Sequence, residues 1–295
     1  MRVLILGCGY VGLPLAAELA RRGQVVFGVR RTRATDHALR VAGVEPWVAD
    51  VTDPASLARL PDPFDWVVNC VSASGEGAAD YRHIYLDGMR NVLDWLASSP
   101  PQRFVYTSST GVYGQRDGAE VTETSATTPG TPTGDVLVET EQRLLREGRD
   151  HGFPAVILRV AGIYGPGRGY WLRQFLAGEA RIEGDGGRLL NMIHRDDVVG
   201  AIMAALERGR PGEIYNAVDD APVTQRELFA WLASTLDKPL PPSVPPEAAG
   251  ARRRGLTSKR VSNRKLRDEL GWRPRYPSFR EGFAAELARP GSAPM

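Results

Sequence analysis

The sequence predicts an α/β fold, a doubly wound parallel sheet with a smaller C-terminal lobe. Three observations carry that expectation. Short apolar, β-rich runs alternate with helical patterns over the first two thirds of the 295 residues. The first of those runs leads straight into glycines spaced G-x-G-x-x-G. Beyond Tyr164 the alternation gives way to glycine-rich loops and short helices.

The elements follow in order. Val3–Leu6 reads as a strand and Leu13–Arg21 as a helix, joined by a turn of Gly7, Gly9, Tyr10, Val11 and Gly12. Gly7 permits the turn, Gly9 lets a phosphate approach the backbone, and Gly12 lets helix and strand pack closely. The helix start offers free N–H groups and a partial positive charge to an anion. A purely structural glycine turn would share this spacing, but its place directly after a strand favours dinucleotide binding. Further strand-like runs are 24–29, 45–49, 66–71, 103–108 and 155–160, with helical patterns at 35–42, 80–97 and 136–147. A seventh strand at 213–216 precedes a helix at 225–236. This layout predicts a dinucleotide-binding domain over 1–165, completed by about 191–218, and a substrate lobe from 166–190 and 219–295.

Composition narrows the function classes. Apolar residues make up 42% and charged residues 24%, and the net charge of +2 gives no basis for nucleic-acid binding. No apolar run reaches the length of a membrane span, and the first residues read as a strand, not a signal peptide. Cys8 and Cys70 form no disulfide framework, so a cytoplasmic setting is expected. No Cys/His cluster has metal-ligand spacing, so no metal is expected. The residues after the second strand are Arg30-Arg31-Thr32-Arg33, where an acid would bind a ribose hydroxyl. Arginines there suit a 2′-phosphate, so NADP(H) is expected over NAD(H).

Several motifs together resemble the extended short-chain dehydrogenases/reductases, the NAD(P)-dependent epimerase/dehydratase superfamily. They are Ala49-Asp50-Val51-Thr52-Asp53, Thr107-Ser108-Ser109-Thr110-Gly111-Val112-Tyr113-Gly114, Tyr164-Gly165-Pro166-Gly167, Ile193-His194-Arg195-Asp196-Asp197, Tyr215-Asn216 and Glu269-Leu270-Gly271-Trp272. The resemblance spans nearly the whole chain and implies a Rossmann-like fold. It implies that Asp50 and Val51 meet the adenine, that Cys70, Val71 and Ser108 line the cofactor, and that Ser109 is the catalytic serine. It also implies substrate contacts from Tyr113, Arg252 and Arg253, and it permits a homodimer through the fourth and fifth helices. The small-molecule substrate would be polar, with phosphorylated and nucleotide-linked compounds among the candidates.

One departure is decisive. Members of that superfamily exchange a proton through a Tyr-x-x-x-Lys pair, whose lysine lowers the phenol's pKa. Counted back from Glu141, those positions fall on Thr133 and Leu137, and no lysine precedes Lys238. An aliphatic hydroxyl at Thr133 is a far weaker acid than a phenol, whose pKa is about 10. Tyr85 replaces the asparagine that helps hold that lysine, either as packing or as a substitute phenol. Leu6, Gly162 and Leu190 stand where the family has a glycine, an asparagine and an arginine. Two readings therefore remain: an NADP(H)-dependent oxidoreductase or epimerase/dehydratase-type enzyme with altered acid–base residues, and a non-catalytic NADP(H)-sensing protein.

Overall fold

The computed structural model describes residues 1–73, 77–245 and 257–289. Its central sheet has seven strands: β1 (Arg2–Leu6), β2 (Val25–Arg30), β3 (Glu45–Val48), β4 (Trp66–Asn69), β5 (Arg103–Ser109), β6 (Ala155–Val160) and β7 (Ile214–Ala217). They lie in the order β7-β6-β5-β4-β1-β2-β3, and every neighbouring pair is parallel. The strand order reverses at β1. Connections from β1 and β4 therefore leave in opposite directions and open a crevice at the carboxyl edge of the sheet.

Burial explains why the strands read as unbroken apolar runs. Both faces of the sheet are covered, so successive residues enter two different cores. Val3 and Ile5 point into one, Leu4 and Leu6 into the other. The first core takes Leu15, Ala16 and Leu19 from α1 (Gly12–Arg21) and Leu39 from α2 (Asp36–Val41). The second takes Met89, Val92, Leu93 and Leu96 from α3 (Gly88–Leu96). The helical run before α3 passes through a π segment at Arg82–Asp87. Helix α4 (Pro132–His151) gives Leu137 to the first core and Leu144 to the second. It begins four residues earlier than its apolar pattern suggests, because Thr131 caps it and Pro132 occupies its first turn.

A third core gathers Tyr164, Phe175 of α5 (Tyr170–Leu176), and later aromatic residues. Phe279 and Phe283 arrive on the last helix, while Leu228, Phe229 and Leu232 come from the helix Gln225–Thr235. Short paired strands stitch this region to the sheet: Gly162–Tyr164 with Met192–His194, and Glu120–Val121 with Arg260–Val261.

The sequence reading beyond Tyr164 names no helix at α6 (Arg195–Arg208), which has fourteen residues. Val198, Val199, Ala201, Ile202, Met203, Ala204, Ala205 and Leu206 are all buried, so almost no polar face marks its period. It packs beside α1 in the first core.

Gly12 shows how closely the first helix sits on the first strand. A Cβ there would lie 2.6 Å from the Gly7 carbonyl oxygen and 3.1 Å from Ile5 Cγ2. Backbone cannot yield as a flexible side chain does, so Gly12→Ala is expected to cost about 1–3 kcal/mol. A lower denaturant midpoint with unchanged slope will show it.

Candidate active site

The carboxyl edge of the sheet collects the loops that follow β1, β2, β3, β4 and β5. Gly7 takes φ +81, and a Cβ on it would meet Val71 N at 2.7 Å. The glycine turn thus rests on the backbone of Cys70 and Val71. Gly9 faces more open space, with Arg30 Nη1 3.4 Å from its ideal Cβ position. Val11 precedes α1 without any side-chain cap, and no acid lies in the first turn of that helix. An uncapped, acid-free helix start behind a glycine turn is suited to an anion.

Charge around this turn is positive. Arg30 Nη1 donates to the Cys8 carbonyl at 2.9 Å, which folds the guanidinium over the turn. Arg31 is exposed, whereas Arg33 lies 3.6 Å from the Asp36 carboxylate. The Tyr10 ring has Arg168 at 5.1 Å and Arg195 at 5.4 Å. Its hydroxyl is buried without a protein partner, and burial pushes its pKa up to about 12 against the pull of both arginines. It stays a neutral phenol at ordinary pH. Burial likewise pushes the Cys8 and Cys70 thiols up to about 12, so neither is a thiolate nucleophile.

The turn after β3 is firmly held. One Asp50 oxygen accepts from Thr52 N at 3.0 Å and Thr52 Oγ1 at 2.8 Å, and Asn91 Nδ2 donates to the Val51 carbonyl at 3.0 Å. These contacts leave the second Asp50 oxygen for an adenine-type donor. Glycine turn, arginines and Asp50 together fit a dinucleotide spread along the edge.

Beneath the end of β5 lies a buried polar network. Arg159 on β6 donates to both oxygens of Glu141 on α4, at 3.1 Å from Nε to Oε2, 3.2 Å from Nε to Oε1 and 2.7 Å from Nη2 to Oε2. Ser108 donates to Glu141 at 2.5 Å. Arg159 also donates to the Tyr113 hydroxyl at 2.8 Å, which in turn donates to Asn216 Oδ1 at 2.8 Å. Burial works against the guanidinium's charge, but Glu141 and Tyr113 outweigh it and raise the Arg159 pKa. Tyr113 is 0% exposed, and its hydroxyl is held in this network by Arg159 and Asn216.

Ser109 is the next residue, at the carboxyl end of β5. Its Oγ accepts from Gly111 N at 3.1 Å and caps the one-turn helix Thr110–Val112, which leaves its proton to donate. Thr133 sits in the first turn of α4, with its hydroxyl 3.3 Å from Thr131 Oγ1, and Leu137 is buried one turn on. The Tyr85 hydroxyl accepts from Ala73 N at 3.2 Å, and its ring packs against Tyr81 at 5.1 Å and against both large cores. Arg252 and Arg253 lie outside the described residues. His194 is 0% exposed; its Nδ1 accepts from Asp196 N at 3.2 Å, and Nε2 lies 3.1 Å from Glu286. Among the described residues, no group of three or more His, Cys, Asp or Glu side chains could hold a metal, and no helix is long and apolar enough to cross a membrane.

A sequence model of the NAD dependent epimerase/dehydratase family matches residues 3–217. The chain belongs to that family. Its family is dependent on a nicotinamide dinucleotide, and the seven-stranded sheet is the family's Rossmann fold. The chain is similar to Protein YeeZ of Escherichia coli (strain K12), with 32% identity over 94% of this chain and 96% of that protein. It is also similar to the 3-diazoavenalumate denitrifying reductase of a Streptomyces species, 27% identical over 97% of this chain and 100% of the other. Among solved structures, the dTDP-glucose 4,6-dehydratase DesIV of Streptomyces venezuelae, with NAD and TYD bound, superimposes with a TM-score of 0.83. That likeness is 24% identical, covers 97% of this chain and 95% of DesIV, and concerns the fold.

Glu141→Ala would strand a buried guanidinium that is 4% exposed as a residue. Breaking such a pair costs about 3–5 kcal/mol, expected here as lost stability in denaturant unfolding at neutral pH.

Proposed function

We propose that this chain is an NADP(H)-dependent oxidoreductase or epimerase/dehydratase-type enzyme that acts on a small polar carbonyl or alcohol substrate without the Tyr-x-x-x-Lys pair. The carrying observation is the arrangement at the carboxyl edge: Arg30 folded over the glycine turn, Arg31 exposed beside it, and Ser109 with a proton to donate. A nicotinamide dinucleotide supplies or accepts hydride when bound. The chain's part is to hold it and to position an oxygen. Arg30 and Arg31 meet the 2′-phosphate, while Asp50 and Val51 meet the adenine. Ser109 donates a hydrogen bond to the substrate oxygen, which stabilises charge developing there.

The altered pair supports the second half of the reading. Thr133 has its hydroxyl beside the cap of its own helix, and Leu137 is packed in the first core. A hydroxyl in that place cannot be an efficient proton donor near neutral pH. The same observation favours a non-catalytic NADP(H)-sensing protein as the second reading. The residues that follow β6, with their own aromatic core, favour the enzyme, since they form the substrate lobe that a sensor does not need. The substrate is a small polar molecule, and helices α3 and α4 offer the surface for a homodimer.

Two measurements test this. Titrations of NADPH and NADH should show tighter NADPH binding, and Arg31→Ala should weaken NADPH by about 10–100-fold, as expected for one charge-assisted contact of about 1.5–3 kcal/mol, with NADH little changed. Tighter binding of NADH would overturn the cofactor assignment. In a screen of NADPH oxidation against carbonyl compounds, Ser109→Ala should reduce turnover about 100-fold or more while leaving NADPH affinity intact. Binding of NADPH without turnover across that screen would favour the sensor.

A further inference from the structure

Two arginines lie over the ring of Tyr10, the glycine-turn residue that comes just before Val11 and α1. Both come from distant parts of the chain. Arg195 opens α6, and Arg168 belongs to the turn that follows the short strand Gly162–Tyr164. Their charges are not equally available. Arg195 is paired with Asp196, to which Nε donates at 3.0 Å and Nη2 at 2.8 Å. Arg168 is exposed, and among the described residues no carboxylate pairs with it.

Backbone and side chain both hold Arg168 at the glycine turn. Gly165 N donates to the Arg168 carbonyl at 2.8 Å, and Arg168 N donates to the Gly165 carbonyl at 2.9 Å. The turn so closed lies directly on Tyr10, since a Cβ on Gly165 would stand 3.1 Å from the Tyr10 hydroxyl oxygen. The guanidinium carbon of Arg168 is then 5.1 Å from the centre of the Tyr10 ring. Arg30 stands at the other end of the same turn, with Nη1 on the Cys8 carbonyl and 3.4 Å from the ideal Gly9 Cβ position. Cations therefore flank Cys8-Gly9-Tyr10 at both ends. A long side chain loses rotamer freedom when it grips an anion, and stacking on a ring removes part of that loss beforehand. A guanidinium also presents paired N–H donors that match phosphate oxygens.

We propose that Arg168 is a cofactor-binding residue, which reaches across from the loop beyond β6 and donates to the pyrophosphate held on the glycine turn. The inference rests on the reading under Proposed function and adds to it a contact common to NADPH and NADH. Arg30 and Arg31 meet the 2′-phosphate, which only NADPH carries. Arg168 meets the diphosphate, which both carry, so it sets affinity without choosing between them. Its turn directly follows Tyr164, a member of the third core, so a bound dinucleotide ties the glycine turn to that part of the molecule.

Calorimetric titration with NADPH, NADH and adenosine 2′-monophosphate, which lacks a diphosphate, tests this. Arg168 is exposed, so Arg168→Met leaves the fold intact. It should weaken NADPH and NADH by the same factor, about 10–100-fold, as expected for one charge-assisted contact. Adenosine 2′-monophosphate should keep its affinity. Arg168→Lys, which retains the charge without the paired donors, should recover part of the loss. Unchanged affinity for both dinucleotides, a loss confined to NADPH, or an equal loss for adenosine 2′-monophosphate would each overturn the inference. The same titrations separate it from the cofactor assignment. NADH bound more tightly than NADPH, with one Arg168 effect on both, removes only that assignment. NADPH bound more tightly with no Arg168 effect removes only this inference, and failure of both dinucleotides to bind removes both.

Discussion

The buried ion pair of Arg159 and Glu141 is the constraint on which the rest of the site depends. It ties α4 to β6 at the carboxyl edge of the sheet and draws in Ser108, Tyr113 and Asn216 from β5, the turn beyond it and β7. A guanidinium with this little exposure is stable only while its partners are in place. Such a network fixes Ser109 relative to α4 more tightly than apolar packing alone would, since each hydrogen bond has one geometry. Whatever side chains the first turns of α4 carry, this network holds the end of β5 against α4 and β6.

Positive charge and packing divide the work at the opposite end of the crevice. The glycine turn is shaped by contact with backbone, from Gly7 against Val71 and Gly12 against Gly7. Arg30, Arg168 and Arg195 then surround the turn with cations, two of them over the Tyr10 ring. A turn that exposes N–H groups under several cations favours an extended polyanion over a neutral ligand.

Local features were legible in the sequence and distant ones were not. The first strand, glycine turn and first helix are adjacent along the chain and were read almost to the residue, as β1 and α1 show. The seven strands were all found, because buried parallel strands carry dense apolar runs. Helix α6 was missed because its residues are buried on nearly every side, which erases the helical period. The network around Tyr113 is not legible locally, because its partners Arg159 and Asn216 lie 46 and 103 residues away. The Lys259 ammonium donates to the Tyr113 carbonyl across 146 residues, a second contact that no local pattern announces.

The proposed cofactor assignment and the proposed role of Ser109 make one claim about the crevice: a 2′-phosphate at Arg30 and Arg31, and a substrate oxygen at Ser109. A crystal structure of the protein with NADPH and a carbonyl substrate analogue measures that directly. The account predicts the 2′-phosphate within hydrogen-bond distance of Arg30 or Arg31, and the analogue's oxygen within that distance of Ser109 Oγ. A 2′-phosphate pointing to solvent, or an analogue oxygen held by a tyrosine hydroxyl instead, would contradict it.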